Sequence, residues 1–211
     1  MTDWVPIAVA QITFSQLYAR YDDPRFATWT LASGLMTEAA RPLKIAYVGR
    51  PGSLEDILLR RLERTFDTAF GRLPLDQPKI RYKALLNGEV DLLVEQPGDV
   101  KDLLSSNRIR PVLTFLSERA PAFPDVTSMS EAGLKGETLL RYRTFFVQNG
   151  VPEYRIAILE DIFSRAWKHP DLQKFNQSKY MKVVDGYRNR KQALELLETT
   201  IKTYQGFRPD S

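Results

Sequence analysis

Apolar and polar positions along this 211-residue chain fall into short blocks whose period switches repeatedly between that of a strand and that of a helix. Ile45, Ala46, Tyr47 and Val48 form an apolar run closed by Gly49-Arg50-Pro51-Gly52-Ser53, a strand followed by a tight turn. Leu54, Leu58, Leu62 and Phe66 then recur at the spacing of one helix face. The same reading predicts one or two strands over Pro6 to Leu17 and a helix over Phe26 to Glu38. It predicts a short helix at Arg81 to Leu86 feeding a strand at Val90 to Val94, and another at Val100 to Leu104 before a strand through Val112, Leu113, Phe115 and Leu116. Thr144 to Val147 reads as a crossing strand, and Met181 to Val184 as a candidate strand between two helical stripes. Those stripes run over Tyr154 to Lys168 and over Arg190 to Tyr204, the second through Ala193, Leu194, Leu197 and Ile201. Strands alternating with helices predict an α/β open sheet with flanking helices. No internal repeat interrupts the pattern.

The punctuation is densest between Pro111 and Gly136. Pro121 and Pro124 each fix their own φ and bias Ala120 and Phe123 toward extended geometry, so the loop after the strand orders at reduced entropic cost. Ser128 and Glu131 stand at capping spacing, Ser130 offers a second cap, and Gly133 is placed to close a single helical turn in the left-handed region.

Arg119, Pro121, Pro124, Asp125, Val126, Thr127, Glu131 and Gly133 resemble the "R-x-P-x-x-P-D-V-P-T-x-x-E-x-G" segment of the substrate-binding receptors of tripartite tricarboxylate transporters, the Bug family of periplasmic solute receptors. Leu85, Leu86, Gly88, Val90 and Asp91 resemble that family's "LLxGxVDL", and Arg108-Ile109-Arg110 its "GKLRAL". Val147, Gly150 and Pro152 resemble "VAPAGTP", His169-Pro170-Asp171 the "DPE" that ends the next helix, and Trp4-Val5-Pro6-Ile7-Ala8 "DFxPIA". The resemblance covers nearly the whole chain but only the later two-thirds of the family's length. It implies a type 2 periplasmic-binding-protein-like fold holding the second lobe plus the C-terminal return segment, with residues 1-143 as the α/β ligand-binding lobe and 144-211 as a crossing strand and helical segment. It also implies periplasmic capture of a small carboxylate by closure of two lobes, and delivery to the transporter's membrane subunits. The family's secretory signal and its Gly-rich "PFxxGGxxD" loop are not seen in this sequence. An internal start, a trimmed chain and a natural truncated relative all account for that. A single lobe is expected to hold its ligand poorly unless a partner supplies the rest.

Composition narrows the alternatives. With 43% hydrophobic residues the chain can build a core, and 30 Lys+Arg against 26 Asp+Glu leave a mild +4 without a basic block of interleaved aromatics, which argues against nucleic acid. No segment approaches the ~20 apolar residues of a membrane span. Zero cysteines exclude thiol catalysis and cysteine-ligated zinc, and the single histidine, His169, stands at a helix end where the dipole favours a cation and no triad partner is evident. Glu55-Asp56 and Glu160-Asp161 are adjacent pairs that point about 100° apart on a helix, which reads as a solvated face and not as a shared proton. No cofactor loop can be assembled, so an enzyme ranks last.

The expected ligand site is built from three loops. Gly49, Arg50, Gly52 and Ser53 occupy the family's "GAGSSxH" loop, where backbone N–H groups and a helix dipole hold a carboxylate. Here Glu55 or Asp56 falls at the family's histidine. Ser53 with Asp56 makes a capping box, and Glu55 adds a second charge to the first turn, so these acids compete with a ligand anion while Arg50 offsets them. A capped helix without ligand is the competing reading. Pro74 to Pro78 stands where the family has "PYKGSxPA", with Gln77 as the candidate contact and Asp76 in the place of a lysine. Glu95 and Gln96 replace the family's "DN" at the end of a strand, the usual ligand edge of an open α/β sheet, against the alternative of a solvated loop. Three further readings stay open: a homodimer through the C-terminal helices, a truncated receptor repurposed as an interaction module, and, ranked lower, an effector-sensing domain.

Overall fold

A computed structural model describes residues 3–38, 41–181 and 186–205. In chain order the elements are β1 (Trp4–Thr13), β2 (Gln16–Arg20), α1 (Trp29–Glu38), β3 (Lys44–Tyr47), α2 (Leu54–Phe66), β4 (Gly71–Pro74), α3 (Pro78–Leu86), β5 (Leu92–Glu95), α4 (Lys101–Ser105), β6 (Ile109–Thr114), β7 (Arg141–Gln148), α5 (Glu153–Lys168), α6 (Pro170–Ser178) and α7 (Arg190–Gln205). They form two compact units. One is Phe14–Leu140, and the other joins β1 to the residues from Arg141 onward. The sequence expectation kept 1-143 together. β1 leaves that group because it pairs antiparallel with β7, from Trp4 opposite Gln148 to Thr13 opposite Arg141.

The larger unit, Phe14–Leu140, carries a five-stranded sheet in the order β4-β3-β5-β2-β6. β3 runs parallel to β4 and β5, while β2 runs antiparallel to both β5 and β6. The C-terminal ends of β3, β4, β5 and β6 and the start of β2 therefore share one end of the sheet. Tyr18, Ala46, Leu93 and Ile109 form the core on one face, with Leu85 of α3 and Val100 packed among them. Leu58, Leu59 and Leu62 of α2 are fully buried, as their helical stripe requires. β4 was not foreseen, because Gly-Arg-Leu-Pro is short, half-exposed and terminated by a proline, a composition tolerated only at a sheet edge.

Asp91 pins the opposite end of the sheet. Its Oδ2 accepts from the Lys44 N–H at 2.9 Å, and Arg41 and Arg25 reach its carboxylate at 3.1 Å each. Burial pushes this acid up, but the Lys44 amide and the two guanidinium groups outweigh it and hold it below the usual carboxylate range. Its contribution is thus complete above the unfolded-chain value near pH ~3.9 and fades as pH falls through the lower folded value. Asp91→Ala is expected to cost about 2–3 kcal/mol at neutral pH and much less near pH 2, measured by urea unfolding at both. An equal cost at the two pH values would contradict the assignment.

The loop after β6 folds as its spacing predicts. Ser128 Oγ accepts from the Glu131 N–H at 3.3 Å and Glu131 Oε2 accepts from the Ser128 N–H at 2.9 Å, a reciprocal capping box. Gly133 has φ +77°, and the Leu134 N–H reaches back to the Met129 carbonyl at 3.0 Å. Arg119 completes the device: its Nε donates to both Glu131 oxygens at 2.9 and 2.8 Å, and its Nη1 to the Pro124 carbonyl at 2.9 Å. These bonds, the guanidinium first and the Ser128 amide second, lower the Glu131 pKa to about 2. In an NMR titration the Glu131 carboxyl is expected to change near pH 2, and in Arg119→Gln to move up toward the usual ~4.3 without fully reaching it, because the Ser128 amide remains. Titration near 4.3 in both proteins would mean the clamp is open in solution.

In the smaller unit β1 and β7 form a two-stranded sheet with α5, α6 and α7 around it. Phe145 stacks on Phe163 of α5 at 4.2 Å, and Gln11 Nε2 donates to Asn176 Oδ1 of α6 at 2.7 Å. Trp4, Pro6 and Phe146 with Leu194, Leu197 and Ile201 of α7 line an apolar groove of about 750 Å³. Trp4, Phe146, Leu194 and Ile201 remain about half exposed, so the α7 stripe is only partly covered. His169 does more than end α5. Its N–H donates to the Ala166 carbonyl, while its Nδ1 accepts from the Asp171 N–H at 3.3 Å and so starts α6, which Pro170 at the first helical position favours. Of the candidate strand Met181 to Val184, the part beyond Met181 lies outside the described residues.

Candidate ligand site

The larger unit gathers the expected site residues at one end of its sheet. Tyr47 closes β3 opposite Pro74 of β4, and Gln16, at the start of β2, stands opposite both Glu95 of β5 and Thr114 of β6. The loops 48–53, 75–77 and 96–100 follow from these strand ends.

Gly49 and Gly52 have φ +124° and +81°, so both positions demand glycine. The Ser53 N–H donates to the Arg50 carbonyl at 2.9 Å and closes the turn. Ser53 Oγ caps α2 by accepting from the Asp56 N–H at 3.4 Å. The expected return bond is displaced by one residue, because Asp56 Oδ2 accepts from the Gly52 N–H at 2.8 Å and not from Ser53. Asp56 is buried beside Arg60 at 3.0 Å and Arg72 at 2.7 Å. Burial pushes it up, yet the Gly52 amide, Arg60 and Arg72 together hold it below the usual range. Glu55, at 1% exposure, accepts from Ser15 Oγ at 3.5 Å. The solvated acidic face expected at Glu55-Asp56 is therefore a buried one: the first turn of α2 packs inward, and Asp56 is balanced by the chain's own arginines. The Arg50 side chain stays exposed beside the turn.

Gln77 is exposed at the N-cap of α3 and its side chain makes no capping bond. Pro78 follows at the first helical position, where its missing N–H costs nothing. Asp76 is also exposed, and its carbonyl accepts from Arg81 Nη1 at 3.2 Å.

Glu95 and Gln96 are not a solvated loop. Glu95, 2% exposed, uses Oε2 to accept from Arg81 Nε at 3.1 Å, from Arg81 Nη2 and from the Tyr82 hydroxyl at 3.3 Å, while Oε1 accepts from the Gln96 N–H at 3.0 Å. Arg81 is equally buried. Burial first, and the Glu95 charge second, push the Tyr82 phenol above its ordinary range. Gln96 lies under the surface with Nε2 on Asp99 Oδ2 at 3.1 Å. Gln16 donates to Thr114 Oγ1 at 2.6 Å and accepts from the Tyr18 hydroxyl at 2.8 Å. Sequence reasoning missed Arg81, Tyr82 and Gln16. A basic residue heading an apolar helix segment gives no sign of burial, and Gln16 belongs to a strand read only by its apolar neighbours. Among the described residues no group of acids and histidine is arranged to hold a metal ion.

The site is thus a row of strand ends with a glycine turn and a helix N-terminus at one side, a geometry suited to an anionic group approached by backbone N–H donors. A sequence comparison with curated proteins finds no match. Among solved structures the chain is similar to MatC of Rhodopseudomonas palustris with bound malate, at 23% identity and TM-score 0.80, covering 97% of this chain and 69% of that one. It is similar to the periplasmic binding protein BugD at 17% identity and TM-score 0.80, with coverage of 97% and 68%. An R. palustris protein with adipate matches at 18% identity and TM-score 0.79, with coverage of 97% and 67%. These likenesses show the type 2 periplasmic-binding-protein fold, and the model of the tripartite tricarboxylate transporter family receptor matches residues 23–205. The chain belongs to that receptor family.

Proposed function

We propose that this chain is a solute-binding receptor for a small carboxylate, with the anionic group held at the turn Gly49–Ser53. The observation that carries the reading is the pair of positive-φ glycines at the N-terminus of α2, whose local acid Asp56 is already neutralised by Arg60 and Arg72. That pairing removes the part of the objection that the Asp56 charge raised. The Gly49 amide and the Ser53 hydroxyl line the turn, whose Gly52 amide is held by Asp56, Arg50 supplies an exposed guanidinium, and Gln77 and Gln96 stand on the neighbouring loops. Glu95 acts as a positioning residue in this reading, holding α3 and the Gln96 amide through Arg81. Carboxylates are the ligand class because malate and adipate occupy the two relatives above. The working compartment would be the periplasm and the partners the membrane subunits of a tripartite transporter. No described helix is long and apolar enough to cross a membrane.

Backbone amide shifts recorded by NMR during a malate titration test this assignment. The amides of 49–56 and 96–99 are expected to move in a saturable way, and Arg50→Gln is expected to weaken binding by about tenfold through loss of a charge-assisted bond. Shifts confined to other loops would overturn the site.

A further inference from the structure

The residue at the sheet end whose hydrogen bonding is incomplete is Gln96. Its Nε2 donates to Asp99 Oδ2 at 3.1 Å, and its own carbonyl accepts from the Asp99 N–H at 3.1 Å. A carboxylate only accepts, so the amide group cannot be turned over without setting two acceptors face to face, and the position of Oε1 is fixed by chemistry. That Oε1 is buried and has no donor among the described residues, with the side chain at 7% exposure. Its neighbours cannot help. Glu95 is committed to Arg81, Tyr82 and the Gln96 amide, and Gln16 to Thr114 and Tyr18. Extending the β2–β5 register of Gln16 opposite Glu95 by one residue sets Ser15 beside Gln96, and the Ser15 hydroxyl is turned to Glu55 at 3.5 Å. Of the groups at this corner, Gln96 Oε1 is the acceptor without a donor among the described residues.

We infer that the ligand carries a hydrogen-bond donor, a hydroxyl or an ammonium group, on the carbon chain next to its carboxylate, and that Gln96 Oε1 accepts it. This rests on the carboxylate site proposed above and specifies what else the ligand must bring. A buried acceptor left unpaired costs free energy, and an occupant that supplies a donor relieves that cost where a plain methylene does not. The same asymmetry gives polar discrimination: a site built to bond a hydroxyl or amine rejects the analogue that lacks it.

Calorimetric titration with succinate, malate and aspartate, which share one four-carbon dicarboxylate frame, tests it directly. On the natural chain malate or aspartate is expected to bind about 5- to 10-fold more tightly than succinate, the range of one neutral hydrogen bond or somewhat more. In Gln96→Leu the advantage of malate and aspartate over succinate is expected to fall to about onefold, whatever happens to the affinity common to all three. If succinate equals both donor-bearing acids on the natural chain, an internal water satisfies Oε1 and the inference is wrong, with the carboxylate site intact. An advantage that survives in Gln96→Leu also overturns it. If none of the three acids binds, the carboxylate reading fails and this inference fails with it. The natural-chain series decides the matter even if the leucine variant does not fold.

Discussion

Replacing Arg81 by methionine is expected to lower the stability of the chain by about 3–5 kcal/mol, because it leaves the Glu95 carboxylate buried without its cation. Both partners are almost wholly shielded, at 3% and 2% side-chain exposure, and the guanidinium also ties the Leu75 and Asp76 carbonyls to the head of α3. The pair itself is not the source of that figure. Taking two charges out of water offsets most of their attraction, so the double change Arg81→Met with Glu95→Leu is expected to recover the larger part of the loss. Urea unfolding of the two single variants and the double variant measures this as a cycle. A cost below about 1 kcal/mol for Arg81→Met would mean that the pair is solvated, as surface ion pairs are. The Gln96 loop would then lose the support that the site requires.

The second large effect is expected at Gly49. At φ +124° an added Cβ would meet Ser53 Oγ at 2.5 Å and Ser53 Cβ at 2.8 Å, so Gly49→Ala combines backbone strain with a collision against the cap of α2. About 1–3 kcal/mol of stability and most of the carboxylate affinity are expected to go with it. Gly52→Ala is the control, since its φ of +81° is equally left-handed but a Cβ there meets nothing within 4 Å. It is expected to cost about 1 kcal/mol and to bind malate with less impairment. Equal losses of binding in the two variants would show that general strain, and not the position of Ser53, governs the site.

Much of this architecture was legible in the sequence because the periods were unambiguous. The stripe Leu54, Leu58, Leu62 and Phe66 fixed α2, and the spacing of Ser128, Glu131 and Gly133 foretold the capping box and the left-handed glycine that the structure contains. Where sequence reasoning fell short, a long-range partner decided the outcome. The N-terminal strand leaves the larger unit through β7, well over a hundred residues later, and no local pattern encodes that pairing. Glu55 and Asp56 look like a solvated pair until Ser15 and Arg72 are brought to them by the sheet. Glu95 reads as a loop acid until Arg81 is seen against it. Composition marked the loop ends as chemically interesting, but which charges are already paired is a property of the fold.

The most direct test of the receptor reading is the thermal unfolding midpoint of the purified chain with and without malate and adipate, with inorganic phosphate as a control for nonspecific anion effects. A ligand bound only by the native state adds about 2.7 kcal/mol at 100 times its Kd, which raises the midpoint by several degrees for a chain of this size. The reading predicts a saturable rise with at least one carboxylate and none with phosphate. Cooperative unfolding whose midpoint is unmoved by either acid would contradict it.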